Sequence, residues 1–289
     1  MTWNSGCDLA GLLDSVRDSE FAGELVTVVS DNASSDDTIA VARATLPGVV
    51  VRENGRNAGY AGGINAGIEV AGDCDAYLIL NADIRLDPDA VDRLYGAMVA
   101  KGAGITVPRL LGVDGALRHS LRNRPTVARV WGESVLGGTI TSRLPLLGEV
   151  EGRPEEYVTA RTADWATGAA MMIGRECLEA VGAWDESFFL YSEETDFALR
   201  AKDAGFALWY EPAAIVMHHE GESNTSPALY ALLVRNRVRL FRSRHHALPS
   251  ALFAAGLFAG ELVRMRHATH RAAVSALIGN DAVVAQPDS

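Results

Sequence analysis

The sequence predicts an α/β fold around a mostly parallel central sheet, with a helical extension at the C-terminal end. Three observations predict it. Short apolar runs alternate with helix-period segments, polar clusters fall where those runs end, and the charge changes sign near residue 227. With 289 residues, 48% of them hydrophobic, the chain buries a sizeable core as one large domain or as one domain with an appendage.

Taken in order, residues 25–30, 48–52, 76–80 and 104–107 are short aliphatic runs without a helical period, and read as buried strands. Between them, residues 36–45, 61–71 and 88–101 repeat apolar positions at helical spacing. Residues 118–160 change character: Arg118, Arg122 and Arg124 stand among prolines and glycines with no clear period, which marks a long functional excursion. From Thr162 the order resumes, with a strand near 169–173, helices near 175–181 and from 193 to 204, and short strands at 206–210 and 214–217.

Composition limits the function. A net charge of −11 argues against a general nucleic-acid binder. Yet residues 227–280 hold eight arginines against one acid, Glu261, so that segment is +7 and the rest −18. Cys7, Cys74 and Cys177 lie far apart, which suggests neither a disulfide framework nor a zinc cluster and fits a reducing, cytoplasmic setting. No leader pattern is expected at the N-terminus, and the apolar run 251–260 is too short to span a bilayer.

In open sheets of this kind ligands sit beyond the carboxyl ends of the strands. Asp31 and Asn32 end one run, and Asn81 and Asp83 end another. A carboxylate there accepts a hydrogen bond from a base or a sugar hydroxyl, or binds a hard cation. The plainer reading of "SDNASSDDT" is a loop in which Ser35 or Asp36 caps the next helix. The glycine-rich stretch 53–67 lacks G-x-G-x-x-G, and Ile68 stands where a P-loop needs lysine. What remains is a loop with Arg56 and Asn57, and glycines that let backbone approach a ligand or a neighbouring element. In "SEETDFALR", Ser192 is a candidate N-cap, Glu193 and Glu194 occupy the first turn, and Asp196 pairs with Arg200 at i,i+4. Acids in a first turn offset the helix dipole, and one of them is also a candidate base.

"TWNS" at 2–5, "SDNASSDDT", "NAGYAGGINAG", "LILNADI", "TGAAMMIGRECLEAVGAWDESFFLYSEETDFALR" and "MHHEGES", in that order, resemble the family 2 inverting glycosyltransferases with a GT-A fold, nearest to the bacterial rhamnosyltransferases. The resemblance covers residues 1–225. It implies a GT-A, Rossmann-like nucleotide-diphospho-sugar transferase domain over 1–226, with 118–160 as a variable acceptor-side excursion, then a basic amphipathic helical segment over 227–289. By the same resemblance, Thr2, Asn4, Asp31, Asn57, Gly59, Asn65, Asn81 and Asp83 bind the donor nucleotide, with Asp31 at the base and Asp83 at a divalent cation, manganese or magnesium. His218 is implied as the second metal residue, with His219 one register away. Trp165, Gly168, Glu193 and Asp196 are placed on the acceptor side, and Glu194 is the implied catalytic base, with Glu193 the alternative.

Two departures stand out. Asn81 replaces the first aspartate of the family's "DxD", leaving Asp83 as the carboxylate. Only the end of a first strand precedes "TWNS", so that strand is expected to be stunted or the natural start to lie upstream of Met1.

The implied activity is metal-dependent transfer of L-rhamnose from dTDP-rhamnose to a lipid-linked or polysaccharide acceptor in cell-envelope glycan synthesis. A UDP-hexose or galactofuranose donor is the alternative within the class, and a catalytically silent, membrane-associated GT-A-like module the alternative outside it. The sequence leaves the linkage and the oligomeric state open. For the C-terminal segment, Arg235, Arg239 and Arg242 near one helical face, with Leu252, Phe253, Leu257 and Phe258 buried in the interface, predict peripheral association with the anionic inner face of the cell membrane. The other reading packs these helices on the catalytic domain, with the arginines solvated or meeting its negative charge.

Overall fold

The computed structural model describes residues 1–219 and 226–279. The end of the "MHHEGES" motif, from Glu220, and the tail 280–289 lie outside the described residues. In chain order the elements are α1 (Gly6–Arg17), β1 (Val28–Asp31), α2 (Thr38–Thr45), β2 (Val50–Glu53), α3 (Gly59–Ala71), β3 (Ala76–Leu80), β4 (Ile84–Leu86), α4 (Ala90–Lys101) and β5 (Ile105–Gly112). Next come β6 (Leu121–Arg122), α5 (Val127–Leu136), α6 (Gly138–Thr141), β7 (Arg161–Ala163), β8 (Trp165–Ala166), β9 (Ala170–Gly174), α7 (Arg175–Val181), α8 (Glu193–Asp203) and β10 (Leu208–His218). Three helices follow: α9 (Pro227–Arg244), α10 (Ala247–Val263) and α11 (Ala268–Leu277).

The chain divides into two compact units. The first holds Met1–Ser120, Pro154–Phe189 and the segment from Glu193 through β10; the second holds Leu121–Arg153, Leu190–Ser192 and the helices α9 to α11.

The first unit is the α/β part. Its larger sheet runs β3-β9-β5-β10-β4, with β7 also paired to β10. The sheet is mixed: β5 and β10 are parallel, but β9 enters antiparallel between β3 and β5, and β4 and β7 are antiparallel to β10. The two runs 206–210 and 214–217 form one strand, β10, whose register shifts between Glu211 and Ile215 where Pro212 has no N–H to donate. Helix α1 was not anticipated; it buries Leu9, Leu12 and Leu13, spaced to share one face. These join Val29, Leu94, Leu110 and Met172 in the core.

A second, two-stranded sheet pairs β1 and β2 in parallel. Thr2 makes a single parallel bridge to Asp31, through Thr2 N–H to the Ser30 carbonyl at 2.9 Å and Asn32 N–H to the Thr2 carbonyl at 2.9 Å. The Met1 amine donates to the Leu80 carbonyl of β3 at 3.4 Å. Beside that stitch a cavity of about 480 Å³ opens, lined by Met1, Thr2, Leu13, Val29, Ile64 and Leu78 among others.

The second unit is helical, and it takes in most of the excursion. The apolar side of α5 packs Val130 with Val238, Phe241, Phe253 and Leu257. Phe241 and Phe253 stack with ring centroids 4.0 Å apart. α5 lies against α10 at Gly256 and Gly260, where a Cβ would come within 2.9 Å of Val130 and 2.6 Å of Ser134. Two expectations change here. Phe253 and Leu257 are core residues and unavailable to lipid, whereas Leu252 is exposed. Ser192 has φ of 76°, not the extended backbone of an N-cap; Asn236 holds this stretch by donating to the Leu190 and Tyr191 carbonyls at 2.9 and 3.1 Å. Arg237 pairs with Glu149 at 2.6 Å and Glu133 at 3.4 Å. Burial acts against the guanidinium's charge, but the two carboxylates outweigh it and raise its pKa; burial also raises that of Glu149. Among the described residues no helix is long and apolar enough to cross a membrane.

Candidate active site

The site lies in the first unit and starts at the loop after β1. Asp31 is fully buried at 0% exposure. Its carboxylate accepts from Thr2 Oγ1 at 2.9 Å, from Ser34 Oγ at 2.6 Å and from the Ser34 N–H at 2.8 Å. Asp36 accepts from the Gly6 N–H at the start of α1 and from the Thr38 N–H at the start of α2, both at 3.0 Å. Burial works against ionisation of Asp36, but the hydrogen bonds from Thr38 and Gly6 prevail and hold it below the usual carboxylate range. Asn4, at φ 49°, accepts from the Ser35 N–H at 2.7 Å. The short polar side chains of "SDNASSDDT" therefore satisfy one another's backbone donors and fix the loop. The N-cap of α2 is Asp37, the residue after both candidates, and its side chain makes no capping bond; Asp36 instead reaches the N–H of the first helical residue, Thr38.

Asn32 connects this loop to the glycine-rich segment. Its amide donates to the Gly59 carbonyl at 2.8 Å, and its oxygen accepts from Asn54 at 2.9 Å. Asn57 Oδ1 accepts from the Gly59 N–H at 3.1 Å. Gly59 itself has φ of 75°, and a Cβ there would lie 2.2 Å from the Phe189 carbonyl oxygen, so no other residue fits. The next N–H, of Tyr60, donates to that same carbonyl at 2.7 Å.

Tyr60 is where the acids meet. Its buried hydroxyl donates to the Gly168 carbonyl at 2.6 Å. A Cβ on Gly168 would lie 3.4 Å from the Tyr60 hydroxyl and 3.5 Å from Glu194 Cβ, so Gly168 separates the tyrosine from the helix α8 acids. Burial first, then the negative charges of Glu193, Glu194 and Asp83, push the Tyr60 pKa well above the usual tyrosine range. It stays a neutral donor. Of the two glutamates Glu193 is buried at 2% exposure, while Glu194 is only half-buried.

Asp83, in the turn between β3 and β4, faces His218 at the end of β10, with Oδ2 and Nε2 3.1 Å apart. β4 pairs antiparallel with β10 in a register that sets His218 opposite Ile84, while His219 offers its backbone N–H to the Asp83 carbonyl at 2.9 Å. Of the two histidines, His218 is the one whose ring faces the Asp83 carboxylate. Among the described residues no group of three or more His, Cys, Asp or Glu side chains converges as a metal cage. A carboxylate beside an imidazole is a donor pair suited to manganese, with room for oxygens from a ligand.

Other expected residues sit apart from this grouping. Asn65 exchanges hydrogen bonds with the Trp184 backbone, donating to its carbonyl and accepting from its N–H at 3.0 Å each, and also donates to Glu186. Asp196 accepts from Arg200 at 2.7 Å, the expected i,i+4 pair, and Arg200 is further held by the Val181 and Ala183 carbonyls. Both act as braces. Trp165 is buried, and the Asn81 backbone bonds the Ala169 carbonyl at 3.0 Å beside Gly168. Tyr60 is the contributor the motif reading did not single out; the one signal for it was its place directly after Gly59.

The sequence pattern of the family described as Glycosyl transferase family 2 matches residues 1–147. Over 232 residues, 76% of this chain and 75% of the relative, the sequence is 28% identical to the N-acetylglucosaminyl-diphospho-decaprenol L-rhamnosyltransferase of Mycobacterium tuberculosis. It is 29% identical over 187 residues, 64% of this chain and 55% of the relative, to the low-salt glycan biosynthesis hexosyltransferase Agl10 of Haloferax volcanii. Among solved structures it resembles the mannosyltransferase PcManGT from Pyrobaculum calidifontis, in complex with GDP-Man and Mn2+, with a TM-score of 0.59 at 16% identity over 99% of this chain and 74% of that one.

Proposed function

The chain belongs to glycosyl transferase family 2, and from that premise we propose that it transfers L-rhamnose from dTDP-rhamnose to a lipid-linked or polysaccharide acceptor at an anionic membrane surface, in the synthesis of a cell-envelope glycan. One observation carries the chemistry: Asp83 faces His218 at 3.1 Å, while Gly168, whose carbonyl accepts from the Tyr60 hydroxyl, lies between Tyr60 and Glu194. The donor and acceptor rest on the likeness to the mycobacterial rhamnosyltransferase over three quarters of both chains.

Glycosyl transfer needs a base for the acceptor hydroxyl and a means to stabilise charge on the departing diphosphate. Glu194 is the base in this reading. It is open enough to meet an acceptor, whereas Glu193 is buried and acts as its neighbour. The Tyr60–Gly168 hydrogen bond holds the wall between α3 and α8, which fixes where Glu194 points. Asp83 and His218, 3.1 Å apart, would hold a divalent cation, manganese or magnesium. When bound, that cation stabilises negative charge on the leaving diphosphate. Thr2, Asp31, Asn57, Gly59 and Asn81 line or brace the nucleotide end of the crevice.

The hexosyltransferase of Haloferax volcanii keeps a second donor reading, a UDP-hexose, in play. Donor hydrolysis separates them. The purified chain is expected to release dTDP from dTDP-rhamnose faster than UDP from UDP-glucose or UDP-galactofuranose, and only with manganese or magnesium added. Faster release from either UDP-sugar overturns the rhamnose assignment.

A further inference from the structure

Helix α10 presents water with a face that carries no polar side chain. Its seventeen residues include two polar ones, Ser250 and Glu261, and both are buried. Glu261 accepts from the Tyr230 hydroxyl at 3.0 Å and contacts His270 Nδ1 at 2.6 Å. Everything exposed on α10 is therefore apolar: Leu248 at 71%, Leu252 at 45%, Leu262 at 49% and Val263 at 78%, with Ala247, Ala251 and Ala255. Positions 248, 252, 255 and 262 recur at helical spacing, so they form one stripe along a helix about 25 Å long. A helix that is apolar on its solvent side as well as its core side lacks a partner.

The stripe continues onto a second element. Trp131 of α5 donates its indole N–H to the Leu252 carbonyl at 3.0 Å, and the same side of α5 exposes Val135 at 74% together with Leu136. Cations stand at both ends of α10. Arg242 and His246 are exposed just ahead of it, and Arg266 is exposed just beyond. A second copy is a poor occupant, because both ends are cationic and any alignment of two such stripes sets cation against cation. A bilayer suits both features, with acyl chains for the stripe and phosphates for the arginines.

We propose that the lipid-contacting surface is this α10 stripe with Trp131, Val135 and Leu136 of α5, lying flat in the interface of an anionic membrane with Arg242 and Arg266 at the phosphates. The proposal rests on the membrane reading above and moves the contact from the arginine face of α9 to a surface shared with the excursion. It makes most of the binding apolar, and so resistant to salt.

The test uses the full chain and vesicles of phosphatidylcholine with or without phosphatidylglycerol, at low and high salt. Wild type is expected to sediment with the anionic vesicles and to remain mostly bound at high salt, and its tryptophan emission to shift to the blue, a shift that Trp131→Phe abolishes. Val135→Asp with Leu252→Asp, both at exposed positions, is expected to lower partitioning at least about tenfold at either salt. Arg242→Gln with Arg266→Gln is expected to remove only the salt-sensitive part. Donor hydrolysis by each variant is measured in parallel and is expected to match wild type. The proposal is overturned if the aspartate variant binds as wild type does, or if wild type stays in the supernatant. Normal hydrolysis in that last case leaves the glycosyltransferase reading standing. Should the aspartate pair instead convert a dimer to a monomer in light scattering with no vesicle binding by wild type, the stripe belongs to a second copy.

Discussion

Asp31 and Asp83 each follow an apolar strand, yet their surroundings are opposite. Asp31 is sealed from solvent and accepts three hydrogen bonds from Thr2 and Ser34. Asp83 remains partly open and faces an imidazole across 3.1 Å. The difference teaches that a loop dense in aspartate and serine is not itself a reactive centre. Its side chains build a rigid floor by meeting backbone donors, while the acids proposed above to act on substrate, Asp83 at the β3–β4 turn and Glu194 at the start of α8, keep partial exposure.

That contrast is open to direct attack. The largest effect is expected at α8: Glu194→Gln should lower turnover by about 100-fold or more while donor affinity is kept, the scale of losing a general base. A dead Glu193→Gln beside an active Glu194→Gln, in steady-state assays, moves the role back one residue. Asp83→Ala comes next. It should abolish manganese-dependent binding of dTDP in calorimetry and leave the thermal midpoint unchanged, because a half-open carboxylate contributes little packing. Asp31→Ala should behave the other way round, costing about 1–3 kcal/mol of stability through the donors it leaves unsatisfied, with turnover at saturating donor little affected. A Asp31→Ala protein that melts like wild type yet binds no nucleotide would make Asp31 a ligand and undo the comparison. The smallest effect is expected for Ser34→Ala, about 1 kcal/mol in chemical denaturation, as one hydrogen bond of several is lost.

Much of this was legible in the sequence. The α/β class followed from alternating periods, and β3 was read to the residue because its five apolar positions are bounded by Asp75 and Asn81. β4 escaped because three residues carry no period, and α5 because Gly132 and Glu133 interrupt its apolar spacing. The antiparallel entry of β9 between β3 and β5 is a long-range pairing that no local pattern encodes. The acids proposed for the site stood out by type and position. Tyr60 did not, since its role depends on a carbonyl 108 residues away. Asn65 looked like a donor contact because asparagine beside glycines is ambiguous; its amide is committed to Trp184.

The division of the sheet bears on how a donor is received. Asp31 rides on the two-stranded piece and Asp83 leaves the six-stranded one, and among the described residues Met1 and Thr2 carry backbone hydrogen bonds that link the β1 side to β3. The two pieces are plates joined by a short pin, with a cavity of about 480 Å³ behind it, lined by apolar side chains and by Asp73, Asp75 and Arg175. A donor whose nucleoside rests on one plate and whose diphosphate rests on the other works as a clasp, so part of its affinity is used to hold the plates in register. The amides of β1 and β2 should then exchange with solvent faster than those of β5 and β10 in the free protein, and slow the most when dTDP and manganese are added.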